Sequence, residues 1–152
     1  MIGRPDNGCR ENGIVGFGWG LAGTPETVTD YRRLRVREGA YPGDRELDHT
    51  LDCFENMVSK DFVNLVWTRD SAGEYYLCEI TGGYQYCRDE AHERAGIVNF
   101  TACSFHHIGA EDLVPPEVVR ELNESGVIHF IHEAGPTETT RQLWQIIKEH
   151  AK

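Results

Sequence analysis

The sequence predicts an α+β protein: a small, mixed and bent β-barrel of about five or six strands, with three or four helices packed on it. Three observations carry this expectation. Phe62–Cys87, FVNLVWTRDSAGEYYLCEITGGYQYC, has the pattern of a β-hairpin, two runs rich in β-branched and aromatic residues split by the turn cluster Asp70-Ser71-Ala72-Gly73. The other strand-like runs are spaced irregularly, unlike the alternation of a doubly wound parallel sheet. Several segments carry apolar residues at helical spacing. A chain of 152 residues can bury one substantial core. No linker or internal repeat divides it, so residues 13–152 are expected to form a single domain behind a flexible stretch of residues 1–12.

Gly13–Gly20, GIVGFGWG, suits a first strand whose glycines allow close backbone approach by a neighbour or ligand. Thr24-Pro25-Glu26 resembles a helix start, with Thr24 as cap and Pro25 in the first turn. Val28, Tyr31 and Leu34 then share one side, and the arginines fall mainly off it. A second helix is expected from Asp44, with Leu47, Leu51, Phe54 and Val58 as its stripe and its end near Lys60. The hairpin follows. Val63, Leu65 and Trp67 share one face of its first strand, and Tyr76, Cys78 and Ile80 one face of its second. Apolar groups on both faces make it the expected centre of the barrel. Gly82-Gly83 permits a bend before Tyr84-Gln85-Tyr86. Arg88–Gly96 is a charged loop, and Ile97–Ile108 one or two strands. A helix is expected over Asp112–Asn123, a short strand over Val127–His132, and a last helix capped by Thr137.

Net charge is −10. Residues 1–60 hold 8 Lys/Arg against 10 Asp/Glu, and residues 61–152 hold 7 against 15, so the second part is much the more acidic. Such a chain is a poor general binder of phosphate backbones, and any nucleic-acid contact must be local. The basic cluster Arg32, Arg33, Arg35 and Arg37 is where phosphate contact is expected. No apolar run approaches the roughly 20 residues of a membrane span. The first twelve residues are polar, and the five cysteines are odd in number and widely spaced. A cytoplasmic protein with reduced thiols and no membrane partner is the expectation.

The common catalytic patterns are missing. No Gly-x-Ser-x-Gly, Walker-type phosphate loop or dinucleotide fingerprint occurs. His106 and His107 are adjacent on a strand and point to opposite faces, and His129 and His132 are no better placed. Asp70 and Glu79 are spaced like the carboxylates of a nuclease metal site, but no lysine follows Glu79 as that chemistry needs. No catalytic residue, cofactor or metal is expected. The remaining signal is aromatic. Phe17, Trp19, Trp67, Tyr84 and Tyr86, with Tyr75 and Tyr76 beside them, crowd two short stretches. Stacking a base on such rings contributes about 1–3 kcal/mol per base without requiring net positive charge.

These segments resemble a known family. Gly16-Phe17-Gly18-Trp19-Gly20, then Asn64-Leu65-Val66-Trp67, then Tyr76–Tyr86, with Ser104–Ile108 and Leu113-Val114-Pro115-Pro116 in the same order, look like a prokaryotic domain of the PUA-like superfamily. Its relatives are the EVE and YTH domains and similar modules at the N-termini of modification-dependent restriction proteins. The resemblance covers most of residues 13–132, with Val63-Asn64 standing where that family often has Gly-Asp. It implies an aromatic pocket that accepts a flipped, often modified base, with Trp19 and Tyr84, and after them Tyr86, as lining residues. The functional expectation is a non-enzymatic reader of modified DNA or RNA, with a role in prokaryotic defence that serves a separate effector protein. Phe17 and Trp67 would add to the stack. The alternative is an acidic protein-interaction module or inhibitor that binds no nucleic acid.

Overall fold

The protein is described here by a computed structural model covering residues 13–58, 64–70, 72–124 and 134–150. The expected strand Val127–His132, the ends at Lys60 and Gly126, and residues 1–12 lie outside the described residues. The order is β1 (Ile14–Phe17), α1 (Val28–Glu38), α2 (Arg45–Met57), β2 (Leu65–Arg69), β3 (Tyr75–Ile80), β4 (Gln85–Tyr86), α3 (Glu90–Ala95), β5 (Asn99–Gly109), a 3-10 turn (Glu111–Leu113), α4 (Pro116–Asn123) and α5 (Ala134–His150). The α+β class is as expected. The sheet curls into a half-barrel, and every described pairing is antiparallel rather than mixed. Among the described residues no helix is long and apolar enough to cross a membrane.

The sheet order is β1-β5-β3-β2, with β4 also on β5. The organising strand is therefore β5, and the hairpin lies towards one end, with β2 last in the order. The expectation that the hairpin is central fails because β5, at 11 residues, is long enough to serve several partners at once. Its first residues pair with β1 on one side and β4 on the other, and Cys103–Gly109 pair with β3. Gly16 is the close-approach glycine: a Cβ there would lie 2.0 Å from the Asn99 carbonyl oxygen.

The hairpin forms as its pattern predicts. Trp67 faces Leu77 and Val66 faces Cys78, and Gly73 takes φ 85° in the turn. Period two then splits its side chains between two cores. Val66, Tyr76, Cys78 and Ile80 join Val15, Phe17 and the inner faces of α1 and α2. Leu65, Trp67, Tyr75 and Leu77 join α4 and α5 through Val114, Val118, Leu143, Trp144 and Ile147. Apolar groups on both faces are thus accounted for by helices on both faces.

Four helix details differ from the sequence reading. Helix α1 starts at Val28 because Thr27, not Thr24, caps it, accepting from the Asp30 N–H at 3.0 Å. Residues 88–96 are not a loop. Asp89 accepts from the His92 N–H, Gly96 closes the helix at φ 72°, and α3 lies between them. Helix α4 begins at Pro116, after a separate 3-10 turn. Thr137 lies within α5, whose first residue is Ala134. Leu47, Leu51 and Phe54 of the α2 stripe are buried as read, with Asp44 as cap, but the helix ends at Met57 and Val58 is its C-cap and not part of it.

Candidate functional site

Between β1 and α1 the chain passes through Gly18-Trp19-Gly20-Leu21-Ala22-Gly23 without regular structure. Such a segment has no ladder to satisfy its backbone groups, so they need other partners. Here side chains supply them. The Asn99 amide donates to the Gly18 carbonyl at 2.5 Å, and the Tyr31 hydroxyl to the Trp19 carbonyl at 2.5 Å. The Tyr41 hydroxyl donates to the Gly20 carbonyl at 2.9 Å. The Leu21 carbonyl accepts from the Tyr86 hydroxyl and from Arg88, both at 2.8 Å. Tyr86 also accepts from the Leu21 N–H, and the Glu38 carboxylate accepts from the Ala22 and Gly23 N–H groups.

This frame holds Trp19 at φ 56°, in the left-handed region that a bulky residue avoids. That conformation costs about 1–2 kcal/mol. It persists because the surrounding hydrogen bonds determine it. The Trp19 ring is half-buried, tilted against Phe17 at 6.0 Å between centroids. Phe17 meets Phe54 edge-on at 5.2 Å, and Phe54 meets Tyr84 edge-on at 6.0 Å. One partly buried indole therefore stands on an aromatic floor.

Burial pushes the Tyr31 and Tyr84 phenols well above their usual range, aided by neighbouring tyrosines. Both stay protonated and remain donors, Tyr84 to the Asn99 side-chain oxygen at 2.6 Å. The Gly23 and Ala22 N–H groups hold the Glu38 carboxyl below its usual range.

The sequence-named residues are distributed unevenly. Phe17, Trp19 and Tyr84 share one core, and Tyr86 joins them through the loop it ties down. Phe17 is fully buried, so it supports Trp19 from below. Trp67 is separated from them. It belongs to the other core, and its indole N–H donates to Thr140 in α5 at 3.0 Å. Arg35 needs correction: it is buried, and its guanidinium donates to Asp48 and to the Tyr41 and Ala40 carbonyls. It ties α1 to the start of α2 and is not a surface cation. Arg32 pairs with Asp52 and Glu55. Arg33 is exposed, 3.8 Å from Asp30, and Arg37 is exposed. His106 and His107 do point apart, one against Trp144 and the other against Tyr76 and Glu74. Asp70 is used in the hairpin turn, where it accepts from the Ala72 and Glu74 N–H groups and the Tyr76 hydroxyl.

Two features escaped the sequence reading. Asn99 and Tyr31 are loop anchors, and nothing in their neighbours' spacing marks them, because their partners are distant backbone carbonyls. Cys87, Asp89 and His92 come together, with one potential ligand atom from each within 4.8 Å of the others. These are the described residues best suited to hold a metal. Asp89 is held below the usual carboxylate range, first by the His92 N–H, then by the His92 ring and Cys87. The signal was available: Asp89 as a cap with His92 three residues on brings both to the first turn beside Cys87. An open depression of about 470 Å³ lies elsewhere, lined by Arg69, Asp70, Gly73, Tyr75, Ala110 and Glu111. Comparison with known protein families, with curated proteins and with solved structures finds no match for this chain.

Proposed function

We propose that this chain is a non-enzymatic nucleic-acid reader of the PUA/EVE-like kind, which stacks a flipped base on Trp19. The observation that carries the proposal is the Trp19 loop. A tryptophan with a strained backbone, anchored at its own carbonyl and at both neighbouring ones, keeps its ring only partly buried. Preorganisation of this kind lowers the ordering cost of binding. A flat apolar ring selects for a flat partner, and a methyl group on the base adds about 1–3 kcal/mol of discrimination. Arg33 and Arg37 on the outer side of α1 supply a local phosphate contact, with Arg32 partly neutralised by its acids. The −10 charge keeps that contact small, so affinity falls with salt by only a few phosphate-equivalents.

Tryptophan fluorescence tests this. Short single- and double-stranded DNA and RNA oligonucleotides, unmodified or bearing N6-methyladenine, 5-methylcytosine or 5-hydroxymethylcytosine, are titrated at low and moderate salt. Saturable quenching selective for one base, lost at least tenfold in Trp19→Ala, is the expected result. Flat titrations with folded protein overturn it.

One observation favours a second reading, an acidic protein-interaction module. Leu113 is 60% exposed beside Glu111 and Asp112. A protein partner bound there would survive Trp19→Ala and weaken in Glu111→Lys.

A further inference from the structure

Cys87 follows β4 directly, and Asp89 and His92 belong to the start of α3. Each is positioned by a different means. The Cys87 backbone N–H donates to the Val98 carbonyl at 2.9 Å. Asp89 accepts from the His92 N–H at 2.8 Å and lies 2.7 Å from the His92 Nδ1. The His92 ring stacks on Phe100, with centroids 4.8 Å apart and planes 18° apart. The neighbouring cations are engaged, Arg88 by Glu93 and the Leu21 carbonyl, Arg94 by Glu90. Cys87 and His92 are half-buried and Asp89 is exposed, so the group is reachable from solvent.

We infer that Cys87, Asp89 and His92 form a binding site for one divalent transition-metal ion, with zinc the best fit. The donor set decides the class. One sulfur, one nitrogen and one oxygen do not suit calcium or magnesium, which take oxygen ligands. They suit zinc, which accepts thiolate, imidazole and carboxylate together. Zinc–ligand distances of about 2.0–2.3 Å place tetrahedral ligand atoms roughly 3.3–3.7 Å apart. The three donor atoms already lie within 4.8 Å of one another, close to that spacing. Three protein ligands leave a fourth position for water or an outside ligand. Binding converts the Cys87 thiol to a thiolate bonded to the metal and releases its proton to solvent. This inference is independent of the nucleic-acid reading.

Cobalt(II) serves as the probe, titrated into the full chain under a non-thiol reductant. One equivalent is expected to give tetrahedral d–d bands and a sulfur-to-cobalt charge-transfer band, both bleached by zinc. Cys87→Ser removes the charge-transfer band, whereas Cys9→Ser and Cys103→Ser retain it. His92→Gln, with its helix content checked by circular dichroism, weakens binding more than about tenfold. Absence of tetrahedral cobalt bands in the unaltered protein overturns the inference, whatever the variants do. A charge-transfer band that persists in Cys87→Ser overturns it equally.

Discussion

Two tryptophans sit on opposite sides of one sheet and are treated in opposite ways. Trp67 is 9% exposed, packed between α4 and α5, with its N–H satisfied by Thr140. Its backbone is ordinary strand, and its ring carries the load. At Trp19 the backbone is held on three successive carbonyls, while the side chain is only partly buried against the first core. One tryptophan is fixed through its side chain and the other through its main chain. A ring fixed by packing is spent on stability. A residue fixed through its backbone holds its strain in the main chain, here at φ 56°.

The contrast can be broken most strongly from the packed side. Trp67→Ala opens a cavity between sheet and helices and is expected to lose about 3–5 kcal/mol. Trp19→Ala removes a partly buried ring and is expected to lose about 1 kcal/mol. Urea denaturation of the two variants measures the difference directly, and equal losses would refute the division of labour. Next comes the anchor. Asn99 is fully buried, donating to Gly18 and accepting from Tyr84. Asn99→Ala leaves both partners unsatisfied, and the same denaturation experiment is expected to show a loss of about 2–4 kcal/mol.

A finer comparison isolates the strain. Trp19→Gly removes the same ring as Trp19→Ala but tolerates positive φ. The glycine variant is expected to be more stable than the alanine variant by about 1 kcal/mol in thermal or urea unfolding. The smallest effect lies at acid pH. Glu38 titrates below its usual range in the folded chain because the Gly23 and Ala22 N–H groups bind its charged form. As pH falls, the unfolded chain takes up that proton first. The contribution of Glu38 is therefore present above the ordinary carboxylate range and lost as pH drops through the folded value. Stability-versus-pH curves of Glu38→Gln should be flatter in that acid window and should rejoin the parent's slope above it.

What was legible in the sequence was what repeats. The stripe Leu47, Leu51, Phe54 of α2 and the alternation around Trp67 and Tyr76 follow from helix and strand periods, and both elements form where expected. What was not legible depends on single distant partners. Arg35 looks like its neighbours Arg33 and Arg37, and only the placement of Asp48 and the Tyr41 carbonyl makes it an interior residue. Trp19 was named from its flanking glycines, but Tyr31, Tyr41 and Asn99 were not named as its anchors. A hydroxyl or amide that bonds backbone leaves no pattern in sequence. Helix α3 was obscured by its charges, although Asp89 and Gly96 mark both its ends.

The distribution of those anchors also bears on the order of assembly. The bond from Asn99 to Gly18 joins residues 81 positions apart, and that from Tyr86 to Leu21 joins residues 65 apart. Securing the Trp19 segment requires both β5 on β1 and α1 in place, and we expect it to close late, as a keystone. Interactions made after the transition state slow unfolding without hastening folding. Stopped-flow chevrons of Asn99→Ala should then show the unfolding limb raised and the folding limb unmoved. The loop that carries Trp19 would thereby act as the kinetic lock of the half-barrel.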